Sequence, residues 1–269
     1  MIRPLIDPFY ANSDSGPPLV AGSSRQDGVL DMTGHRHARG QLLGAWSGLL
    51  TIGTEAGHWV VPSVHAVWVP PHEHHCGRSH GPFDGWSVYV APSLCGSLPA
   101  QPKVISVSGL LREAVARAVA WPPGEFDDRR RHLAHVILDE IANLPAAGLN
   151  LPMPRDGRLA RIARALIEEP ADDRGLDAWA AWAGVSERTA SRRFAAETGF
   201  TFMAWRQRAR IARALEMLAD GSAVTTVALD LGYESISAFI ALFRRIVGAT
   251  PGEYARSART GEGAPQGRD

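Results

Sequence analysis

The sequence predicts an α+β chain: an N-terminal antiparallel β-barrel followed by a helical segment, then an all-α domain with two helix-turn-helix motifs joined by a long helix. Three observations predict it. Short β-rich runs fill the first hundred residues, separated by Gly, Pro, His and Asp. A stretch rich in Pro, Gly and Ala follows near residue 150. The last hundred residues then repeat themselves. Ala180 and Gly184 recur as Ala228 and Gly232; with one extra residue in the second turn, Ser186, Phe194, Gly199, Thr201 and Trp205 recur as Ser235, Phe243, Gly248, Thr250 and Tyr254.

The barrel, over residues 1–105, takes its strands from Gln41–Ile52, Gly57–Val61, Ala66–Val69 and Trp86–Ala91. Ser108–Ala120 and Asp127–Asn143 are predicted helices, parted by Pro122-Pro123-Gly124; the second carries Leu133, Val136, Ile137 and Ile141 at helical spacing. Together they make a segment over 106–145 suited to dimerisation. Residues 146–156 are the predicted linker, 157–256 the DNA-binding domain, and 257–269 a disordered tail.

In the first repeat copy Leu176, Trp179, Ala180 and Ala183 share a face, Gly184 suits a left-handed helix end, and Ser186 caps the next helix. Ala190 and Phe194 then fall inward. Arg188, Thr189, Ser191 and Arg192 are left outward, where they can donate to base edges or phosphates. The bland alternative is a solvated basic face, which the duplication makes the weaker reading. In the second copy Val224, Val227 and Ala228 pack, Ser235 caps, and Phe239, Leu242 and Phe243 face inward. Ile236, Ser237, Ile240, Ala241, Arg244 and Arg245 remain outward. That face offers few donors, so phosphate grip through Arg244 and Arg245 is expected of it. Between the copies, Trp205–Leu218 contains no Gly or Pro and carries an Ile211, Leu215, Leu218 stripe. A helix of about fifteen residues is about 22 Å long, stiff enough to hold two reading helices for grooves about 34 Å apart. Its Arg206, Arg208, Arg210 and Arg213 are read with equal weight as phosphate contacts or as solvated side chains.

The run from Gly232 through Arg245, followed by Gly248-Ala249-Thr250-Pro251-Gly252-Glu253-Tyr254, resembles the C-terminal signature of AraC/XylS-type transcriptional regulators. The resemblance covers residues 156–256. It implies base-reading positions at Arg188, Ser191 and Arg192, and at Ile236, Ser237 and Ala241. Ala241 departs from the polar or basic residue often found there. It also implies a double-stranded DNA operator, a homodimer built on the helical segment, a small-molecule effector, and RNA polymerase as partner of an activator.

Composition agrees. With 269 residues, 45% hydrophobic, two ordinary cores can be buried. Formal net charge is zero, yet residues 155–260 hold 16 Arg and no Lys against 13 acidic residues, so the positive excess lies where DNA would bind. Cys76 and Cys95 make neither a disulfide framework nor a zinc pattern. There is no apolar run of spanning length, and prolines 4 and 8 interrupt the start, so neither a membrane span nor a signal peptide is expected and a cytoplasmic location is.

The barrel carries a histidine constellation. His35-Arg36-His37, with Gln41 and then Gly48, resembles the first cupin motif, Gln41 standing where Glu is usual. Pro70-Pro71-His72-Glu73-His74-His75 resembles the second, with His75 at the ligand position. The cupin resemblance implies that His35, His37 and His75 can meet inside the barrel and admit Zn, Ni, Cu or Fe. The favoured reading requires no cofactor: these side chains, with Gln41, line a polar effector pocket. His65, His72, His74 and His80 are expected in exposed loops. Trp46, Trp59, Trp68 and Trp86 are expected mainly in the barrel core, with Trp68 stacking on an effector. The competing function, a metal-dependent cupin enzyme fused to a DNA-binding domain, is weakened by the missing Glu.

Overall fold

The computed structural model describes residues 8–122, 125–146 and 150–260. They divide into two compact units: one holds the described residues up to Thr54 and from Val61 to Ala146, the other Glu55–Val60 and the described residues from Asn150 to Ser257.

The first unit opens with the short helix α1 (Pro8–Ala11) and is built around two long strands, β3 (Gly40–Thr54) and β6 (His75–Val90), which pair antiparallel along their length. β1 (Leu19–Gln26) pairs with the second half of β6 and β2 (Asp31–His35) with its beginning. β5 (His65–Val69) pairs with the start of β3, and β7 (Lys103–Ser106) with β5. Register shifts between Ala45 and Leu49 bend the β3–β6 ribbon. Gly48 and Gly81 sit at positive φ near that bend; a Cβ on Gly48 would lie 2.6 Å from the Pro82 carbonyl oxygen, so only glycine fits. The sheet is cupin-like, but its pairings run as an open, branched path rather than the closed ring expected of a barrel.

The period of two along these strands separates two environments. Leu42, Val88 and Val90 point to one face and form a core with Trp68, Leu111, Val115, Ile137 and Ile141. Gln41, Leu43, Ser87 and Tyr89 point to the other and line a cavity. The helices over the first face are α2 (Gly109–Val119) and α3 (Asp128–Asn143). Each starts where a side-chain oxygen accepts an orphan backbone N–H: Ser108 from Leu111, Asp127 from Arg130.

In the second unit β4 (Gly57–Pro62), which ends in the first, pairs through Gly57–Trp59 with β8 (Asn150–Pro152). Two expectations are corrected here. Residues 146–156 are not a plain linker, because 150–152 form a strand and Asp156 caps a helix. Trp59, only 5% exposed, belongs to this unit and not to the barrel core. Seven helices follow: α4 (Gly157–Glu168), α5 (Leu176–Ala183), α6 (Glu187–Thr198), α7 (Phe202–Ala219), α8 (Val224–Asp230), α9 (Ile236–Val247) and α10 (Pro251–Thr260). α10 runs into the stretch expected to be a tail; 261–269 lie outside the described residues.

Candidate nucleic-acid interface and effector pocket

The two helix-turn-helix copies are the same object in three dimensions. Gly184 and Gly232 take φ of 71° and 73° after α5 and α8; Gly199 and Gly248, at 76° and 85°, end α6 and α9. Ser186 Oγ accepts from the Thr189 backbone N–H and Ser235 Oγ from that of Ala238. Phe194 meets Trp205 with ring centroids 5.6 Å apart, and Phe243 meets Tyr254 at 6.0 Å. All four rings are buried. The first pair is edge-on and the second tilted, and each contact fixes a second helix against the helix that follows it.

Outward from α6, Arg188, Ser191 and Arg192 are exposed, and among the described residues Arg188 and Arg192 make no side-chain hydrogen bond or ion pair. Thr189 is half-buried and accepts the Ser186 hydroxyl at 2.9 Å. Arg193, one position on, is tied back to Asp156 at 2.5 Å and Glu197 at 3.1 Å. On α9 Ile236, Ser237, Ala241, Arg244 and Arg245 are exposed and Ile240 is half-buried; Ile236 is 39% exposed. Two guanidinium groups therefore stand free on α6, whereas α9 presents mainly small and apolar side chains before its last turn.

On the connecting helix α7 three of the four arginines behave in neither of the ways expected of them. Arg206 is 8% exposed and donates from Nη1 to the Arg174 carbonyl at 2.8 Å; burial lowers its pKa. Arg210 donates from Nε to the Pro170 carbonyl at 2.8 Å and Arg213 pairs with Glu216 at 2.9 Å. Arg208 lies 4.2 Å over the Phe200 ring. Arg206, Arg208 and Arg210 brace the loop before α5 and neighbouring side chains, whereas Arg213 stays exposed beside Glu216. Ile211, Leu215 and Leu218 are buried as their spacing requires.

In the first unit, a cavity of about 300 Å³ is lined by Leu30, Met32, Leu43, Leu50, Phe83 and Trp86 on its apolar side and by His35, Gln41, His75, Ser87 and Tyr89 on its polar side. Trp68 is not there. It is fully buried in the core beneath α2 and α3, its indole N–H donating to the Pro99 carbonyl at 2.9 Å, so Phe83, Trp86 and Tyr89 are the aromatic walls instead. Burial pushes the Tyr89 hydroxyl up to about 12. His65 and His80 correct another expectation, for neither is an exposed loop residue: His65 starts β5 and His80 is 6% exposed beside the Thr51 hydroxyl at 2.9 Å. His72 and His74 are exposed.

His35, His37 and His75 do meet. Their side-chain nitrogens lie within 4.8 Å of one another; His37 and His75 are buried and His35 is exposed. Each ring has Nδ1 against a backbone carbonyl: His35 on Thr33 at 2.8 Å, His37 on Arg39 at 2.7 Å, His75 on Glu73 at 2.9 Å. A carbonyl only accepts, so Nδ1 carries the proton and Nε2 of the neutral ring presents a lone pair. Burial favours that neutral ring, lowering the pKa of His37 and taking that of His75 down to about 4. Gln41 Oε1 stands 3.1 Å from His37 Nε2 and 3.2 Å from His75 Nε2, and Gln41 Nε2 donates to the Ser87 hydroxyl at 3.2 Å.

A duplicated helix-turn-helix with exposed arginine on its first recognition helix defines a DNA-binding protein, and relatives agree. Residues 179–257 match a family model described as a helix-turn-helix domain. The chain is 31% identical over 221 residues to the HTH-type transcriptional regulator NimR of Escherichia coli (strain K12), covering 82% of this chain and 81% of that protein. It is 34% identical over 122 residues to the HTH-type transcriptional regulator RipA of Corynebacterium glutamicum, covering 45% of this chain and 35% of RipA. A crystal structure of ToxT from Vibrio cholerae matches 89% of this chain and 98% of its own, with 9% identity and a TM-score of 0.40. The chain belongs to the AraC-type family of helix-turn-helix transcriptional regulators. It is a DNA-binding regulator and not an enzyme. No helix among the described residues is long and apolar enough to cross a membrane.

Proposed function

We propose that this regulator reads its operator chiefly through α6 and answers to a small molecule held in the cavity of the first unit. The observation that carries the reading is the pair Arg188 and Arg192, exposed and without partners among the described residues, on a helix pinned by Phe194. Arginine forks onto guanine O6 and N7 in the major groove. Ser191 and Thr189 supply shorter donors beside them. α9 follows with apolar contacts from Ile236 and Ala241, a hydroxyl from Ser237, and phosphate grip from Arg244 and Arg245, while Ser235 caps the helix. The helical segment 106–145 joins two copies of the chain, and RNA polymerase is the further partner wherever the regulator activates.

Selection of operator sequences from a random DNA pool, then anisotropy titrations with the full chain, tests the α6 assignment. Arg188→Ala and Arg192→Ala are expected to lower affinity for the selected sequence more than for random DNA. Equal losses on both would overturn base reading by α6. Sedimentation of the same protein tests the dimer, and a DNA-affinity screen of small molecules against wild type and a cavity-filling Leu43→Trp variant tests the effector pocket.

A further inference from the structure

Four acceptors, three of them on residues that line the cavity, lack protons between them. Nε2 of His35, His37 and His75 converge, each ring being fixed by its Nδ1–H to a backbone carbonyl. Gln41 Oε1 completes the group, 3.1 and 3.2 Å from the two buried Nε2 atoms. Four lone pairs facing one centre repel unless a cation stands among them, and separations near 3 Å are those of neighbouring ligands about a small ion, whose bonds to nitrogen are about 2.0–2.1 Å for zinc. The carbonyls behind the rings also suit a metal site, because an Nδ1–H held by a carbonyl sets tautomer and ring orientation. One proton-only arrangement competes: with the Gln41 amide reversed, its NH₂ donates to both buried Nε2 atoms and Ser87 donates to its oxygen. That arrangement leaves His35 Nε2 aimed at the same centre with no role.

We propose that His35, His37, His75 and Gln41 bind one divalent transition ion of the borderline class, Zn(II) or its neighbours Ni(II) and Cu(II), with a coordination position open to the cavity for the effector. The donor set is three imidazoles and an amide oxygen, all neutral, which disfavours Mg(II) and Ca(II). No carboxylate is among the residues that line the cavity. The bound ion therefore keeps its two positive charges inside a largely apolar chamber, and the ligand that suits it is a small, mainly apolar molecule with a single anionic oxygen, nitrogen or sulfur donor. This assignment rests on the effector-pocket reading above and gives it a chemical class.

The test uses tag-free full-length protein stripped with chelator. Zn(II) titrated against a chromophoric competitor is expected to bind one equivalent at this site. Co(II) is expected to give a low-symmetry d–d spectrum that changes when azide is added. His35→Ala, at an exposed position that the core does not need, is expected to weaken binding by at least the roughly 10–100-fold that loss of an outer-shell partner alone costs. Gln41→Glu is expected to tighten it, with circular dichroism confirming that both variants fold. Absence of Zn(II) binding, or binding indifferent to both substitutions, overturns the metal site and leaves the reversed amide. A Co(II) spectrum indifferent to azide overturns the open position. Either failure is distinguishable from failure of the effector reading, which is scored separately by the Leu43→Trp comparison on DNA.

Discussion

The two helix-turn-helix copies share a frame and differ in what they offer a duplex. In both, a left-handed glycine turns the chain, a serine caps the second helix, and a buried phenylalanine meets an aromatic ring from the next helix. On that common frame α6 presents Arg188, Ser191 and Arg192, and α9 presents Ile236, Ser237 and Ala241. Frame and readout are thus set by different residues on opposite faces of one helix. The inward positions must fit a core packed at crystal-like density and are narrowly constrained. The outward ones touch only solvent until DNA arrives, so one copy can lose its donors without losing its fold.

The comparison breaks most severely if the shared frame is removed. Phe194→Ala and Phe243→Ala each delete a fully buried ring and should each cost about 3–5 kcal/mol. Urea unfolding followed by tryptophan fluorescence, with Trp179 and Trp205 in this unit, measures both. Nearly equal losses support equivalent frames; a loss below about 1 kcal/mol in either would show that its copy is held by something other than the aromatic pin. The readout face should divide where the frame does not. Arg192→Ala is expected to cost about 1–3 kcal/mol on the selected operator and to relax preference at one base pair. Arg245→Ala should weaken all sequences alike and lower the salt-dependence slope by about one. Titrations on matched and singly substituted duplexes at two salt concentrations separate these outcomes, and a base-specific loss from Arg245→Ala would erase the proposed division of labour.

The frame was legible because it needs few residue types at fixed spacing: glycine for positive φ, serine for a cap, phenylalanine for the pin. The same economy exposed the histidines, two imidazoles one residue apart, although β2 ends at His35 and His37 lies just beyond it. Legibility failed where partners are distant or carry no side-chain signature. Arg206 and Arg210 donate to backbone carbonyls of Arg174 and Pro170, more than thirty residues away, and nothing in an arginine-rich helix marks those acceptors. β6 reads as a strand only over its apolar end, Trp86–Val90, because Gly77, Gly81 and Pro82 interrupt the earlier part, which nonetheless pairs along β3 around a bend. Trp68 and Trp86 look alike in sequence. Both join the core cluster, opposite Leu42 and Gly44 of β3, and that Trp86 of the two also borders the cavity is fixed only when the strands pair.

The smallest expected effect is the most discriminating, because it asks how alike the two turns are. Gly184 and Gly232 occupy the same left-handed conformation, and a Cβ there costs about 1–2 kcal/mol in an L-residue. Around Gly184 an added Cβ meets no atom within 4 Å, so Gly184→Ala should show that backbone cost alone. At Gly232 the added atom lies 3.3 Å from the Ala171 carbonyl oxygen and 3.8 Å from Arg210 Nη2. Arg210 holds that carbonyl at 3.3 Å, so the Cβ presses on the brace that ties α7 to the loop before α5. Gly232→Ala should therefore destabilise more than Gly184→Ala in the same urea experiment, and combining Gly232→Ala with Arg210→Ala should be less than additive. Equal effects from the two glycine substitutions would mean that the brace yields freely, and that the second turn is as unencumbered as the first.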